Sequence, residues 1–149
     1  MAFGYRYSME RQANGWWLVR FPEIPEALTE GETKEEARAN ARDCVIAALE
    51  GYMKSGRPLP RGRARHSGTD RAILPSLVTA KLAVYETMRG HGWSKVRLAK
   101  ELGMPENSVR RLFDLRHASQ MRIIDAALAK MNAELPIDLP ELRPTGKAA

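Results

Sequence analysis

The sequence predicts an α+β protein in which a small unit of strands and one helix precedes an all-helical unit. Three observations lead to this prediction. Residues 3–10 alternate apolar with polar side chains, and Trp17, Val19 and Phe21 share one face of a second segment, which is the period of a half-buried strand. Residues 33–56 and 73–131 instead place apolar side chains three and four positions apart, as on one face of a helix. Between these two regions lies a stretch rich in Pro, Gly and Arg, which is typical of a linker.

Three short strands are predicted ahead of the first helix. The first strand carries its apolar side chains at every second position: Phe3, Tyr5, Tyr7 and Met9. Asn14-Gly15 then predicts a hairpin turn, because both residues tolerate a positive φ. The second strand covers residues 16–21 and ends where Pro22 and Pro25 interrupt pairing. A third strand is predicted within residues 27–32.

A helix is predicted from Thr33 to Gly56. Thr33 and Glu36 form a capping box, in which the Glu36 carboxylate reaches back to the Thr33 amide. Gly56 suits the end of the helix, since glycine readily takes the left-handed backbone found there. The buried face is predicted to consist mostly of small and aliphatic side chains: Ala37, Ala41, Cys44, Val45, Ala48, Leu49 and Tyr52. Residues 1–56 are too few to bury a large core unaided.

The rest of the chain divides into a linker, a helical domain and a tail. Residues 57–72 form a basic linker, either a solvated tether or an arm that touches DNA, with a last strand near residues 71–74. Residues 73–139 form the helical domain, which ends in a short extended segment at residues 135–139, and residues 140–149 form a flexible tail. Three residues are predicted to begin helices in the helical domain: Ser94, Pro105 and Ser119.

Composition excludes several classes of protein. The chain has 149 residues, of which 44% are apolar and 28% charged, as in ordinary globular domains rather than disordered or fibrous chains. No apolar run approaches the roughly 18 residues of a membrane-spanning helix, and the N-terminus lacks the apolar core of a signal peptide. The single cysteine, Cys44, cannot form an internal disulfide. We therefore expect a cytoplasmic protein that does not engage a membrane.

Charge is distributed unevenly along the chain. Residues 1–56 contain 7 Lys and Arg against 9 Asp and Glu, a net charge of −2. Residues 57–149 contain 17 against 9, a net charge of +8. This asymmetry predicts two modules with different partners. The basic module is expected to meet nucleic acid, because neutralising phosphates supplies most of the non-specific affinity for DNA.

One spacing in the helical domain indicates a helix-turn-helix. Ala99 is the small residue that a close helix crossing needs, Gly103 supplies the positive φ of the turn, and Val109 is the apolar plug of the second helix. The alternative is an ordinary helical hairpin in which Gly103 only ends a helix.

In a helix-turn-helix, the helix from Pro105 to about Phe113 is the recognition helix. Its outward side chains match the hydrogen-bonding groups of bases in the major groove: Glu106, Asn107, Arg110 and Arg111. Phosphate contacts are predicted at the start of the preceding helix and in the following loop: Ser94, Lys95, Arg116 and His117. For each cation taken singly, a solvated surface charge is the alternative. As a set, these side chains predict double-stranded DNA as a partner.

No catalytic or metal site is predicted. Cys44 lies on the buried face of the first helix, where a core residue is expected rather than a nucleophile. The three histidines, His66, His91 and His117, have no second ligand at metal-binding spacing. The acidic residues near the start of the first helix are explained by the positive end of the helix dipole. We expect a protein without enzymatic activity, metal or cofactor.

Several segments resemble the HicB family of antitoxins. Residues 15–25, Gly-Trp-Trp-Leu-Val-Arg-Phe-Pro-Glu-Ile-Pro, are similar to the aromatic strand and FPDLPG stretch of that family. Residues 29–37 are similar to its T-x-G-x-T-x-E-E-A segment, and Asn40-Ala41 follows. Residues 74–128 are similar to the version of the family that ends in a helix-turn-helix. The resemblance covers about residues 3–139.

The resemblance implies a partial RNase H-like front domain that binds and blocks a small, basic HicA-type ribonuclease toxin. It also implies a back domain that binds operator DNA and represses the shared operon, in a homodimer or tetramer. Residues 3–9 lack the metal-binding acid that an RNase H nuclease carries on its first strand, and Glu26-Ala27 replaces the Gly-Cys of the family. An acidic front domain complements a basic toxin. The candidate toxin contacts are one aromatic residue and five acids: Trp16, Glu23, Glu26, Glu30, Glu32 and Glu35.

Two other functions are alternatives. One is a transcriptional repressor whose front domain senses a small molecule, and the other is an accessory protein that binds RNA. The helix-turn-helix spacing favours duplex DNA over single strands. For Trp16, packing within the sheet is the alternative to contact with a toxin.

Overall fold

The computed structural model describes residues 4–62 and 70–135. A four-stranded sheet with one helix comes first, and four helices and a short 3₁₀ turn follow. The elements in chain order are β1 Gly4–Arg11, β2 Trp17–Arg20, β3 Leu28–Gly31, α1 Lys34–Lys54, β4 Asp70–Ile73, α2 Ser76–Gly90, α3 Lys95–Leu102, α4 Glu106–Arg110, the 3₁₀ turn Arg111–Phe113, and α5 Met121–Lys130. This order confirms the predicted α+β class, with a β-β-β-α-β unit ahead of the helices.

The sheet is antiparallel throughout and has the strand order β3-β2-β1-β4. One face packs on α1, and Tyr5 and Val19 on that face are fully buried. The other face is open to solvent, and a cross-strand row of exposed residues crosses it: Ser8, Arg20 and Leu28. The predicted turn after β1 is confirmed, with a φ of 88° at Gly15.

Helix α1 begins at the predicted cap, although one half of the capping box differs. The Thr33 hydroxyl accepts a hydrogen bond from the Glu36 amide at 3.1 Å, as predicted. The Glu36 carboxylate accepts from the amide of Glu32 at 2.9 Å, one residue before the predicted Thr33 amide. Gly56 takes a φ of 68° just after the helix, which confirms its role there. The buried face of α1 consists of these residues: Ala37, Ala41, Val45, Ile46, Leu49 and Met53.

Gly31 sits where the end of β3 lies against the first turn of α1. A Cβ atom at Gly31 would be 2.5 Å from the amide nitrogen of Ala37. We expect Gly31→Ala to lower the free energy of unfolding by about 2 kcal/mol, because β3 and α1 must move apart. Gly51→Ala, within α1, is the control, since a Cβ there meets no atom within 4 Å. Urea unfolding of both variants tests this contact, and equal stability for the two would contradict it.

Residues 57–60 form a packed joint between the sheet and α2. The Tyr5 hydroxyl donates to the carbonyl of Pro60 at 2.8 Å, and the Tyr85 hydroxyl donates to the carbonyl of Arg57 at 2.8 Å. Leu59 is buried, and its amide donates to the Glu86 carboxylate at 2.9 Å. These contacts give residues 57–60 a defined place, where their composition predicts a solvated tether. The rest of the predicted linker includes residues 63–69, which lie outside the described residues.

The helices differ from prediction in two details. The predicted helix from Pro105 to Phe113 is divided into α4 and the 3₁₀ turn. The prediction that Ser119 caps α5 is wrong. The cap position is Gln120, and its side chain makes no capping bond. The hydroxyl of Ser119 instead donates to the carbonyl of Arg111 at 3.4 Å. Beyond Leu135, the predicted extended segment and tail lie outside the described residues.

Candidate functional site

The turn between α3 and α4 has the backbone and burial that the helix-turn-helix spacing requires. Gly103 ends α3 in the left-handed region, with a φ of 61° and a ψ of 33°. The amide of Met104 donates to the carbonyl of Ala99 at 3.0 Å, which closes the end of α3. Ala99 is 6% exposed and Val109 is fully buried. All three predicted positions therefore lie where a tight crossing of two helices needs them.

The outward face of α4 and the 3₁₀ turn is centred on Asn107 and Arg111. Val109 points into the core, and successive helical residues are about 100° apart, so those two residues lie opposite it. Both are exposed. Arg110 is also exposed but lies to one side, where its guanidinium bonds the Glu106 carboxylate at 2.8 Å. The four predicted base contacts are thus not equivalent.

A cleft of about 530 Å³ lies on the Arg110 side of α4. We call it the basic cleft, because four of its side chains are cations: Lys54, Lys95, Arg110 and Arg116. Three carboxylates also line it: Glu50, Glu106 and Asp114. The ammonium of Lys95 lies 5.0 Å from the centre of the Phe113 ring. The basic cleft brings together four predicted DNA contacts and joins them to the last turns of α1.

A smaller cleft of about 210 Å³ lies on the other side of α4, beside the start of α5. Its wall includes six polar side chains beside apolar ones: Ser108, Arg111, His117, Ser119, Gln120 and Arg122. Nδ1 of His117 is 3.1 Å from the Ser119 hydroxyl oxygen. Arg111 and His117, two further predicted DNA contacts, therefore share this second cleft.

Ser94 is engaged within the protein. Its hydroxyl accepts a hydrogen bond from the amide of Arg97 at 3.1 Å and so caps α3. Ser94 and Lys95 are both exposed. A phosphate at this end of α3 would therefore meet the Lys95 ammonium and the remaining free amides of the first turn rather than an uncommitted hydroxyl.

Lys81, on α2, is not among the residues predicted above. Its side chain is completely buried, and its ammonium donates to three backbone carbonyls, those of Arg111 at 3.1 Å and of Asp114 and His117 at 2.6 Å. Burial lowers the pKa of Lys81, and the carboxylates of Asp114 and Glu50 oppose that change. Lys81 therefore ties the end of the 3₁₀ turn to the loop that follows it.

Four of the six predicted toxin contacts lie at the two ends of α1. Glu26 is near the last turn of α1, where its carboxylate accepts from the Tyr52 hydroxyl at 2.9 Å and from Arg57 at 3.4 Å. The backbone amide of Glu26 and then the Tyr52 hydroxyl hold the pKa of that carboxyl below its usual value. Three exposed acids surround the start of α1, and we call them the acidic corner: Glu30, Glu32 and Glu35.

Glu23 is not exposed, which corrects its place among the surface acids. Its side chain is only 8% exposed, and its Oε1 accepts from Nε of Arg6 at 3.0 Å. The pair links β1 to the loop after β2, so this carboxylate is committed within the fold. Trp17 packs against the core and lies under the Lys34 ammonium, which is 4.5 Å from its ring. Trp16 is half-buried and keeps part of its surface open.

Within residues 4–62 and 70–135, no group of three or more His, Cys, Asp or Glu side chains is placed to hold a metal ion. Cys44 is partly buried, and that burial raises the pKa of its thiol. No helix in these ranges is both long enough and apolar enough to cross a membrane. His66 lies outside the described residues.

Comparisons with known proteins give a consistent result. A family profile described as "HicB_like antitoxin of bacterial toxin-antitoxin system" matches residues 4–83. "Antitoxin HicB 1" of Photorhabdus laumondii is 30% identical over 135 residues, which cover 91% of this chain and 86% of that protein. "Antitoxin HicB" of Pseudomonas fluorescens is 33% identical over 134 residues, covering 89% of this chain and 91% of that one.

Two further proteins are similar to this chain. "Antitoxin HicB" of Escherichia coli K12 is 28% identical over 133 residues, which cover 89% of this chain and 96% of that protein. A solved N-terminal domain of the Burkholderia pseudomallei antitoxin HicB covers 49% of this chain and 96% of its own, with a TM-score of 0.40 and 17% identity. The family profile spans more than half of this chain, from β1 into α2. The chain belongs to the HicB-like antitoxin family of bacterial toxin–antitoxin systems.

Proposed function

We propose that this antitoxin neutralises a small HicA-type ribonuclease toxin and represses its own operon by binding operator DNA. The observation that carries the DNA-binding half is the outward face of α4 and the 3₁₀ turn. Asn107 and Arg111 stand exposed on that face, opposite buried Val109, with a cation-bearing cleft on each side. Asn and Arg are the side chains that pair in bidentate fashion with adenine and guanine in the major groove.

The assembly follows from the proposed DNA binding. A helix-turn-helix protein that binds as a two-fold dimer places its recognition helices one turn of DNA, or a multiple, apart on a palindromic site. We therefore propose a homodimer or tetramer on the operator. Both proposed activities are binding activities, so no catalytic residue is assigned.

The acidic corner supports the toxin-binding half of the proposal. Its three carboxylates are exposed, and none forms an ion pair with another residue in the described ranges. They remain available to the cationic side chains of a basic partner. The net charge of −2 over residues 1–56 also attracts a basic partner, at longer range.

Reversing the acidic corner tests the toxin-binding half. Co-expression of the natural chain with the small basic protein encoded beside it is expected to restore growth. The triple variant Glu30→Lys, Glu32→Lys, Glu35→Lys is expected to lose that protection, because three attractive charges become repulsive. Glu134→Lys, an exposed acid in the helical half, is the control and is expected to protect fully.

The possible outcomes distinguish a wrongly placed toxin contact from a wrongly proposed function. A triple variant that still protects would move the toxin contact away from the acidic corner. A natural chain that neither binds the neighbouring protein nor restores growth would overturn toxin neutralisation itself.

A further inference from the structure

We propose that Lys54, the last residue of α1, contacts DNA phosphate, so that the sheet-bearing half of the chain takes part in operator binding. This inference rests on the proposed DNA binding. It adds a DNA contact from α1, which lies in the net acidic part of the sequence that is proposed to face the toxin.

The placement of Lys54 carries the inference. Lys54 is exposed in the wall of the basic cleft, which it shares with Lys95, Arg110 and Arg116. Those three cations come from the start of α3, from α4 and from the loop after the 3₁₀ turn. Four cations from separate parts of the chain thus face one cleft beside the proposed recognition helix, against the carboxylates of Glu50, Glu106 and Asp114. Lys54 forms no ion pair with a residue in the described part of the chain.

The geometry of a major groove places a phosphate strand at this cleft. The groove is about 12 Å wide, so a helix lying in it has one phosphate strand along each flank. With Asn107 and Arg111 facing the bases, the basic cleft lies along one flank of α4. A lysine suits this position, because its ammonium is a mobile point charge that meets phosphate oxygens without a fixed geometry.

The carboxylate of Glu50 opposes the binding of a phosphate in this cleft. Glu50 precedes Lys54 by one helical turn and lines the same cleft. It is half-buried, and its charge repels a phosphate there. Removing the charge of Lys54 is therefore expected to weaken DNA binding, whereas removing the charge of Glu50, one turn away on the same helix, is expected to strengthen it.

Duplex binding by full-length variants tests the inference. The probe is a mixed-sequence DNA duplex, titrated at several salt concentrations. Lys54→Gln is expected to weaken binding by about fivefold and to reduce the slope of log affinity against log salt by about 1. Glu50→Gln is expected to strengthen binding by a few-fold. Lys34→Gln is the matched control, since Lys34 lies at the other end of α1, beside the Trp17 ring.

The measurements distinguish two failures. If the natural chain binds the duplex but Lys54→Gln and Lys34→Gln have equal affinities and slopes, the inference about Lys54 is overturned and the proposed function stands. Weaker binding by Glu50→Gln would likewise overturn the inference. If the natural chain binds neither this duplex nor the DNA upstream of its own gene, the proposed DNA binding falls, and the role of Lys54 falls with it.

Discussion

Lys81→Met is expected to lower the free energy of unfolding by about 3 kcal/mol. Methionine nearly fills the volume of lysine but donates no hydrogen bond. The carbonyls of Arg111, Asp114 and His117 would lose the ammonium that binds them. Removing a buried charge offsets part of this loss, because the natural chain bears the cost of desolvating that charge. Urea unfolding monitored by far-ultraviolet circular dichroism measures the difference.

The control for Lys81→Met is Lys100→Met, the same chemical change at an exposed position of α3. Substitutions at such surface sites usually change stability by less than about 0.5 kcal/mol. Hydrogen exchange gives a second measurement, with faster exchange expected in residues 111–117 of the Lys81 variant. A Lys81→Met variant as stable as Lys100→Met would show that the backbone amides of Asp114, His117 and Ser119, which already bond the three carbonyls, satisfy them without the ammonium.

Arg111→Ala is expected to reduce affinity for the operator by about 10- to 100-fold, and Arg110→Ala by much less. Arg111, at the start of the 3₁₀ turn, lies on the midline of the outward face that this turn shares with α4, where loss of a bidentate base contact costs about 1–3 kcal/mol. The guanidinium of Arg110 is bonded to Glu106 on the flank, so it is expected to contribute mainly to phosphate attraction. Fluorescence anisotropy with DNA from upstream of the chain's own gene measures both affinities.

Sequence dependence separates these two arginines further. Loss of Arg111 is expected to lower affinity for the operator more than for a mixed-sequence duplex, whereas loss of Arg110 lowers both alike. The double variant Arg110→Ala, Arg111→Ala is expected to abolish operator binding while leaving toxin binding intact. Equal operator affinity for the double variant and the natural chain would contradict the assignment of α4 as the recognition helix.

Local patterns in the sequence predict the fold well. Alternation of side chains over β1, the Thr33 cap and the glycine at position 103 each act over a few residues, and each has the predicted place in the structure. The order of strands and helices along the chain also agrees with the prediction. The predicted buried face of α1 omits Ile46 and Met53, which are buried, and includes Cys44, Ala48 and Tyr52, which are only partly buried.

The candidate sites were harder to predict, because they depend on contacts between distant segments. Glu23 resembles any exposed acid until Arg6 on β1 is placed beside it. Lys81 lies on the apolar side of α2, between Val78 and Leu82, which is a signal of burial, but only the fold shows the carbonyls that receive it. The different roles proposed for Arg110 and Arg111 could be assigned only once the structure gave the orientation of α4 and the position of the end of α1.

The joint at residues 57–60 bears on how this chain can be divided. β4 belongs to the sheet through its pairing with β1, yet it follows the joint and leads within a few residues into α2. Cutting after Gly56 would separate residues 4–56 from an edge strand, from buried Leu59 and from the acceptor of the Tyr5 hydroxyl. A chimera that exchanges operator specificity between relatives should therefore join the two parents after residue 75 rather than within the linker. The natural chain should also melt in one cooperative transition instead of two.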